Sequence, residues 1–239
     1  RYSNLIANSP VNFRQRSISE AMNRSSSPGE DATTSRPRPA RRPAISGSRT
    51  AATMGVSPGS TAPPGSSQLV TAGRAMRALA GEARVQWFEQ PVGRRDLDGM
   101  RALRRMTGLP VMADESCQTL RDGYELARAE AADVWNVYVS EAGGLRAAAE
   151  LFALGTAVGV PCILGSQAEM GIATAACAHL AVALPRLPYA IETFGPLRYA
   201  RDIVEGPGFI AGGWLTPPEG PGLGVRLDWD AVNSMKVEL

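Results

Sequence analysis

Two short apolar runs in this 239-residue chain each stop abruptly on carboxylates. The first is Trp87-Phe88-Glu89-Gln90-Pro91, and the second is Ala113-Asp114-Glu115-Ser116. A buried parallel strand that ends on an acid is how an α/β barrel presents chemistry at the carboxyl ends of its strands. Two hard oxygen donors on neighbouring strands suit Mg²⁺, which prefers carboxylates and water. Glu89 and Asp114 are therefore the primary metal candidates, with Glu115 beside them in a supporting role. The alternative for each is a helix cap or an ion pair with Arg.

The same beat continues downstream. Apolar runs end near Tyr138, Gly165 and Glu192, so the strand-end positions from Glu89 onward are 25, 24, 27 and 27 residues apart. A β/α unit of a typical barrel takes roughly 31 residues, so these are compact units of that kind. Tyr138 stands where a catalytic group would, as a hydrogen-bond donor or as a core tyrosine. Glu192 reads as a catalytic acid, a substrate contact or a salt-bridge partner. Glu169 reads as a substrate contact or as an acid in the first turn of a helix, where the dipole favours negative charge. His179, the chain's single histidine, lies on an apolar helical stretch and reads as structural.

The elements needed to position these groups follow from periodicity. Strands are expected at 85–90, 111–114, 134–139, 161–165 and 190–194, and helices at 96–106, 119–131, 145–158 and 169–184. In the second of these helices Leu120, Tyr124, Leu126 and Ala127 are expected to face inward. Strands alternating with helices imply a parallel sheet. The tail from Thr216 onward is rich in Pro and Gly and reads as a return with at most one extended piece.

Composition divides the chain in two. Residues 1–73 hold nine Arg against three acids, are rich in Ser, Pro and Gly, and are expected to be disordered or foreign to the fold. Residues 74–239 are expected to form the folded part, with a net acidic balance that gives no reason to expect nucleic-acid binding. Lys236 is the only lysine. Cys117, Cys162 and Cys177 have no metal-ligand spacing and read as buried small hydrophobes. No apolar run reaches the roughly 18 residues of a membrane span, and no signal peptide is visible, so a cytoplasmic protein is expected.

Glu89-Gln90-Pro91, Ala113-Asp114-Glu115-Ser116, Gly143-Gly144-Leu145 and Pro221-Gly222-Leu223-Gly224 together resemble the enolase superfamily, and within it the mandelate racemase/muconate lactonizing enzyme group. The resemblance covers residues 74–239. It implies about strands four to eight of an enolase-type (β/α)7β TIM barrel, behind a disordered N-terminal segment. It also implies one Mg²⁺, a small carboxylate substrate, and an isomerase or lyase that removes a proton α to the carboxylate, with cycloisomerase or epimerase/racemase favoured over dehydratase. Glu89 matches the family's second metal ligand, Asp114 its third, and Glu192 an acid at the end of the eighth strand.

The family's first ligand falls about one β/α unit before Glu89, where residues 61–65 read Thr-Ala-Pro-Pro-Gly. Its Lys-x-Lys pair has no counterpart. Tyr138 stands at the position of a sixth-strand Lys or Asp, and Gly165 at that of a seventh-strand His. The expectation is a shortened and catalytically impaired member. The alternative is a non-catalytic half-barrel completed by a partner or by homo-oligomerisation.

Overall fold

The structure, a computed structural model, describes residues 50–53, 67–82, 85–206 and 208–237. Five parallel strands lie in chain order in one sheet: β1 (Thr50–Thr53), β2 (Val85–Glu89), β3 (Val111–Ala113), β4 (Val134–Val137) and β5 (Cys162–Leu164). Helices α1 (Ser67–Glu82), α2 (Leu97–Thr107) and α3 (Leu120–Ala129) connect the first four strands. The short α4 (Val139–Ala142) and the longer α5 (Leu145–Val158) lead from β4 to β5. Then come α6 (Gly171–Ala183), a 3₁₀ turn at Gly195–Arg198, the hairpin of β6 (Ile210–Ala211) and β7 (Trp214–Leu215), and α7 (Trp229–Ser234). This is a barrel arc of β/α units, as expected.

Helix ends follow local chemistry. Asp96 caps α2 by accepting from the Gly99 amide at 2.8 Å, and Gly108 ends that helix in the left-handed region at φ 67°. Thr119 and Asp122 form a reciprocal capping box at the start of α3. The basic Arg104 makes a 2.7 Å ion pair with Asp133, whose other oxygen accepts from the Val111 amide. That acid thus ties α2 to the start of β3.

The strands alternate as the pleat requires. Phe88, Val111, Ala113, Trp135, Val137, Cys162 and Leu164 face the helices and build the main core. Trp87, Met112, Val134 and Ile163 face the other way and form a second apolar cluster, closed by Tyr189, whose ring meets Trp87 edge-on at 5.0 Å. Trp135 is fully buried, and the helices reach it through glycines. A Cβ on Gly123 of α3 would lie 3.3 Å from the Trp135 ring, and one on Gly155 of α5 would meet Cys162 Sγ at 2.5 Å. All three cysteines are buried, as expected of small hydrophobes.

Four expectations are corrected. The folded part does not begin at residue 74: α1 starts at Ser67, and Thr50–Thr53 adds a strand beside β2, with Thr53 paired to Glu89. The rest of the segment expected to be disordered lies outside the described residues. Residues 190–194 form no strand. They run beside β5 and the Glu192 amide donates to the Leu164 carbonyl at 3.0 Å. Pro188 before them and Gly195-Pro196 after them limit the ladder to that bond. In α3 the buried residues are Gly123 and Leu126, while Leu120 and Tyr124 are exposed. Gly123 faces inward, where a Cβ would press on Leu151, Leu154 and Trp135 at 3.0–3.3 Å, so the missing side chain lets α3 sit close to the sheet. The tail from Thr216 onward is not turns and an extended piece alone: Leu227 bridges to Val204, and a helix, α7, follows. No helix among the described residues is long and apolar enough to cross a membrane.

Candidate active site

Four strand-end positions stand two residues beyond a member of the Trp87–Met112–Val134–Ile163 cluster, three of them polar. Glu89 follows Trp87, Asp114 follows Met112, Asn136 follows Val134 and Gly165 follows Ile163. The period of two therefore carries one face from an apolar floor to a polar rim at the carboxyl ends.

Gln90 fixes the join between β2 and β3. It sits at φ 39°, and its side-chain carbonyl accepts from the amides of Asp114 at 3.0 Å and Ser116 at 3.2 Å. Its amide nitrogen donates to Ser116 Oγ at 2.9 Å and to the Val92 carbonyl at 3.0 Å. Ser116 Oγ in turn donates to the Arg94 carbonyl at 2.6 Å. This one buried side chain sets where the Asp114 carboxylate begins.

Asn136 fixes the next join. It is completely buried, and its Nδ2 donates to Glu89 Oε1 at 3.2 Å and to the Tyr138 hydroxyl at 3.0 Å. Gly165 leaves the room this requires, since a Cβ there would lie 2.1 Å from Asn136 Oδ1 and 3.0 Å from the Tyr138 ring.

The electrostatics mark the rim as a place of crowded acids. Burial, then the nearby Glu89 carboxylate, push Asp114 up to about 8, against a smaller lowering by a hydrogen bond from Tyr138. Burial and Glu89 raise Glu192 to about 7. Tyr138 is held far above its ordinary value by burial and by Asp114, so its phenol stays protonated. Asp114 Oδ1 is buried with no hydrogen-bond partner.

Glu115 is exposed on the turn after β3. Glu169 lies ahead of α6 rather than in its first turn, and accepts hydrogen bonds from Ser140 Oγ at 2.7 Å and from Ser166 Oγ. Burial would raise its pKa, but those hydroxyls outweigh it and hold the group below its ordinary value. Glu169 thus ties the loops after β4 and β5 together, and the Gln167–Glu141 hydrogen bond does the same. His179 meets the Leu223 carbonyl at 3.2 Å and anchors the tail to α6, away from the strand ends.

The structure therefore gathers Glu89, Asp114, Tyr138 and Glu192, adds Asn136 and Gln90, and leaves Glu115 and Glu169 to the periphery. Gln90 was visible in the sequence only as part of a motif. Asn136 carries no signal in the sequence, where Tyr138 reads as the end of β4, whereas the strand stops at Val137.

A family model described as enolase C-terminal domain-like matches residues 64–231. The chain belongs to that family. Within the enolase superfamily it falls with the mandelate racemase/muconate lactonizing enzyme group. Muconate cycloisomerase 1 of Rhodococcus opacus is 40% identical over 153 residues, covering 64% of this chain and 41% of that protein. The N-succinyl-L-Arg/Lys racemase of Bacillus cereus is 32% identical over 163 residues, covering 68% of this chain and 43% of that protein. The crystal structure of muconate cycloisomerase from Pseudomonas fluorescens matches with a TM-score of 0.66 at 35% identity, over 70% of this chain and 46% of that chain. The chain thus spans about two fifths of the length of these curated relatives.

The enolase-family resemblance implies a divalent cation, and the donors present fit part of its shell. Glu89 and Asp114 offer hard oxygens that repel each other, and Asp114 Oδ1 has no other partner. Among the described residues no three acidic, His or Cys side chains gather closely enough to hold a metal unaided. Residues 61–65, the expected place of a first ligand, lie outside the described residues. The strand beside β2 puts Thr53, not an acid, in register with Glu89.

Proposed function

We propose that the chain supplies part of the active site of a Mg²⁺-dependent, enolate-forming isomerase of the mandelate racemase/muconate lactonizing type, acting on a small carboxylate. The observation that carries this reading is the Glu89–Asp114 pair, half-buried at adjacent strand ends, with Oδ1 of Asp114 buried and unpartnered. Glu89 and Asp114 would hold the cation, with Glu115 nearby in the outer field. When bound, Mg²⁺ supplies positive charge that stabilises the charge developing on the substrate's carboxylate.

The chain's own side chains do the rest. Glu192, raised to about 7 by burial and Glu89, exchanges a proton near neutrality, which suits removal and return of the proton α to the carboxylate. Tyr138 stays protonated and acts only as a donor, directing its hydroxyl at developing negative charge. The apolar floor of Trp87, Met112, Val134 and Ile163 keeps water from beneath the reacting carbon. Relatives named as cycloisomerases and as a racemase support that side of the family over dehydration.

The test is exchange of an α-proton for solvent deuterium. Small carboxylates, among them muconate and N-succinyl amino acids, are incubated with the chain in heavy water with and without Mg²⁺. Metal-dependent exchange that Glu192→Gln abolishes supports the reading; exchange in no substrate, with Mg²⁺ bound, opposes it.

A second reading rests on the sheet's ends. β1 and β5 are its terminal strands, and among the described residues the outer side of β5 carries the Glu192 amide bond and no further strand. Open edges favour association, so the chain acts as a half-barrel that becomes competent only with a partner or as a homo-oligomer. Light scattering showing a monomer at all concentrations, with full exchange activity, would exclude it.

A further inference from the structure

Asn136 is a fully buried neutral side chain that touches two groups of the site. Its two amide hydrogens go to different places, one to Glu89 Oε1 at 3.2 Å and one to the Tyr138 hydroxyl at 3.0 Å. The opposite amide orientation would turn Oδ1 against the Glu89 carboxylate, so the carboxylate decides which way the amide faces. Oδ1 itself has no hydrogen-bond partner, and it lies against the bare Cα of Gly165. A buried carbonyl left unpaired costs free energy, so other interactions must hold the amide there.

We propose that Asn136, seated by Gly165, is a positioning residue that aims Glu89 and Tyr138 into the site. This rests on the reading of Glu89 as a cation ligand but adds to it. Asn136 fixes one oxygen of Glu89, and with it the setting of the carboxylate. It also holds the phenol of Tyr138 by donating to its oxygen, which leaves the hydroxyl proton to be donated elsewhere. Gly165 serves the same end from a different element. Any side chain there must displace either the amide, at 2.1 Å, or the Tyr138 ring, at 3.0 Å. The absence of a side chain on β5's end is thus a requirement of the β4 amide. Partners of this kind typically change metal affinity by about tenfold or more when removed.

The test has two readouts on the full chain. The side-chain amide resonances of Asn136, assigned by their loss in Asn136→Ala, are expected to exchange slowly with solvent. They should move on Glu89→Gln and broaden or move on Gly165→Ala. Mg²⁺ titration by calorimetry is expected to show affinity falling about tenfold in both Asn136→Ala and Gly165→Ala, with circular dichroism confirming that each variant folds. Rapid exchange of the Asn136 amide, or its indifference to Glu89→Gln, overturns the proposal. So does unchanged Mg²⁺ affinity in the folded variants. If the parent chain binds no Mg²⁺, the cation reading fails while the amide signature still decides the positioning role by itself.

Discussion

Asp114 stands at the end of the strand that neighbours Glu89's, and the Glu89 carboxylate adds to burial in lifting Asp114 to about 8. Among the described residues no lysine or arginine forms an ion pair with Asp114. Such a pair is costly to the fold and useful to a cation, and its behaviour with pH follows.

The metal-free chain is expected to lose stability as pH rises from about 4 through about 8. Asp114 has a folded pKa above its unfolded one, so its favourable contribution is complete at acid pH and disappears as the folded group ionises. Mg²⁺ should reverse the slope, raising the melting temperature most at alkaline pH. Melts from pH 5 to 9, with and without Mg²⁺, check this, and Asp114→Asn should flatten both curves.

Glu169 has the opposite sign. Its folded pKa is lowered, so its contribution is present above its ordinary carboxylate range and is lost as pH falls through the folded value. The side chain is half exposed, which limits the effect. Ser140→Ala and Ser166→Ala should each cost about 0.5–1.5 kcal/mol near neutral pH. Their costs should be less than additive if one carboxylate serves both, as a double-mutant cycle by urea unfolding would show.

Gln90→Leu is expected to destabilise the chain by about 2 kcal/mol or more. It leaves the amides of Asp114 and Ser116 without their shared acceptor, and an unpaired buried group costs about 1–3 kcal/mol. Denaturant unfolding measures the loss. Weaker Mg²⁺ binding should accompany it, because the same amides set where Asp114 stands.

Much of this was legible in the sequence, and the physical reasons separate what was from what was not. Glu89 and Asp114 could be read because a strand face of period two runs straight from apolar floor to acid. The β/α spacing from Glu89 to Gly165 could be read because each unit carries its own helix and its own stop signal. The strand at Thr50–Thr53 could not, since Thr-Ala-Ala-Thr has no apolar run and its pairing is supplied by β2. The roles of Gln90 and Asn136 were hidden for a related reason. An amide's function is set by which neighbours its donors and acceptor meet, and those contacts span 24 and 47 residues. Glu169 was ambiguous because its two serine partners come from different loops.

The central claim is that the strand-end carboxylates of Glu89 and Asp114 form a divalent-cation site. Calorimetric titration of Mg²⁺ into the purified chain at pH 8 tests it most directly, alongside Glu89→Gln and Asp114→Asn. Saturable binding to one site, accompanied by proton release and lost in both variants, is the expected result. No binding, or binding that persists unchanged in both variants, would contradict it.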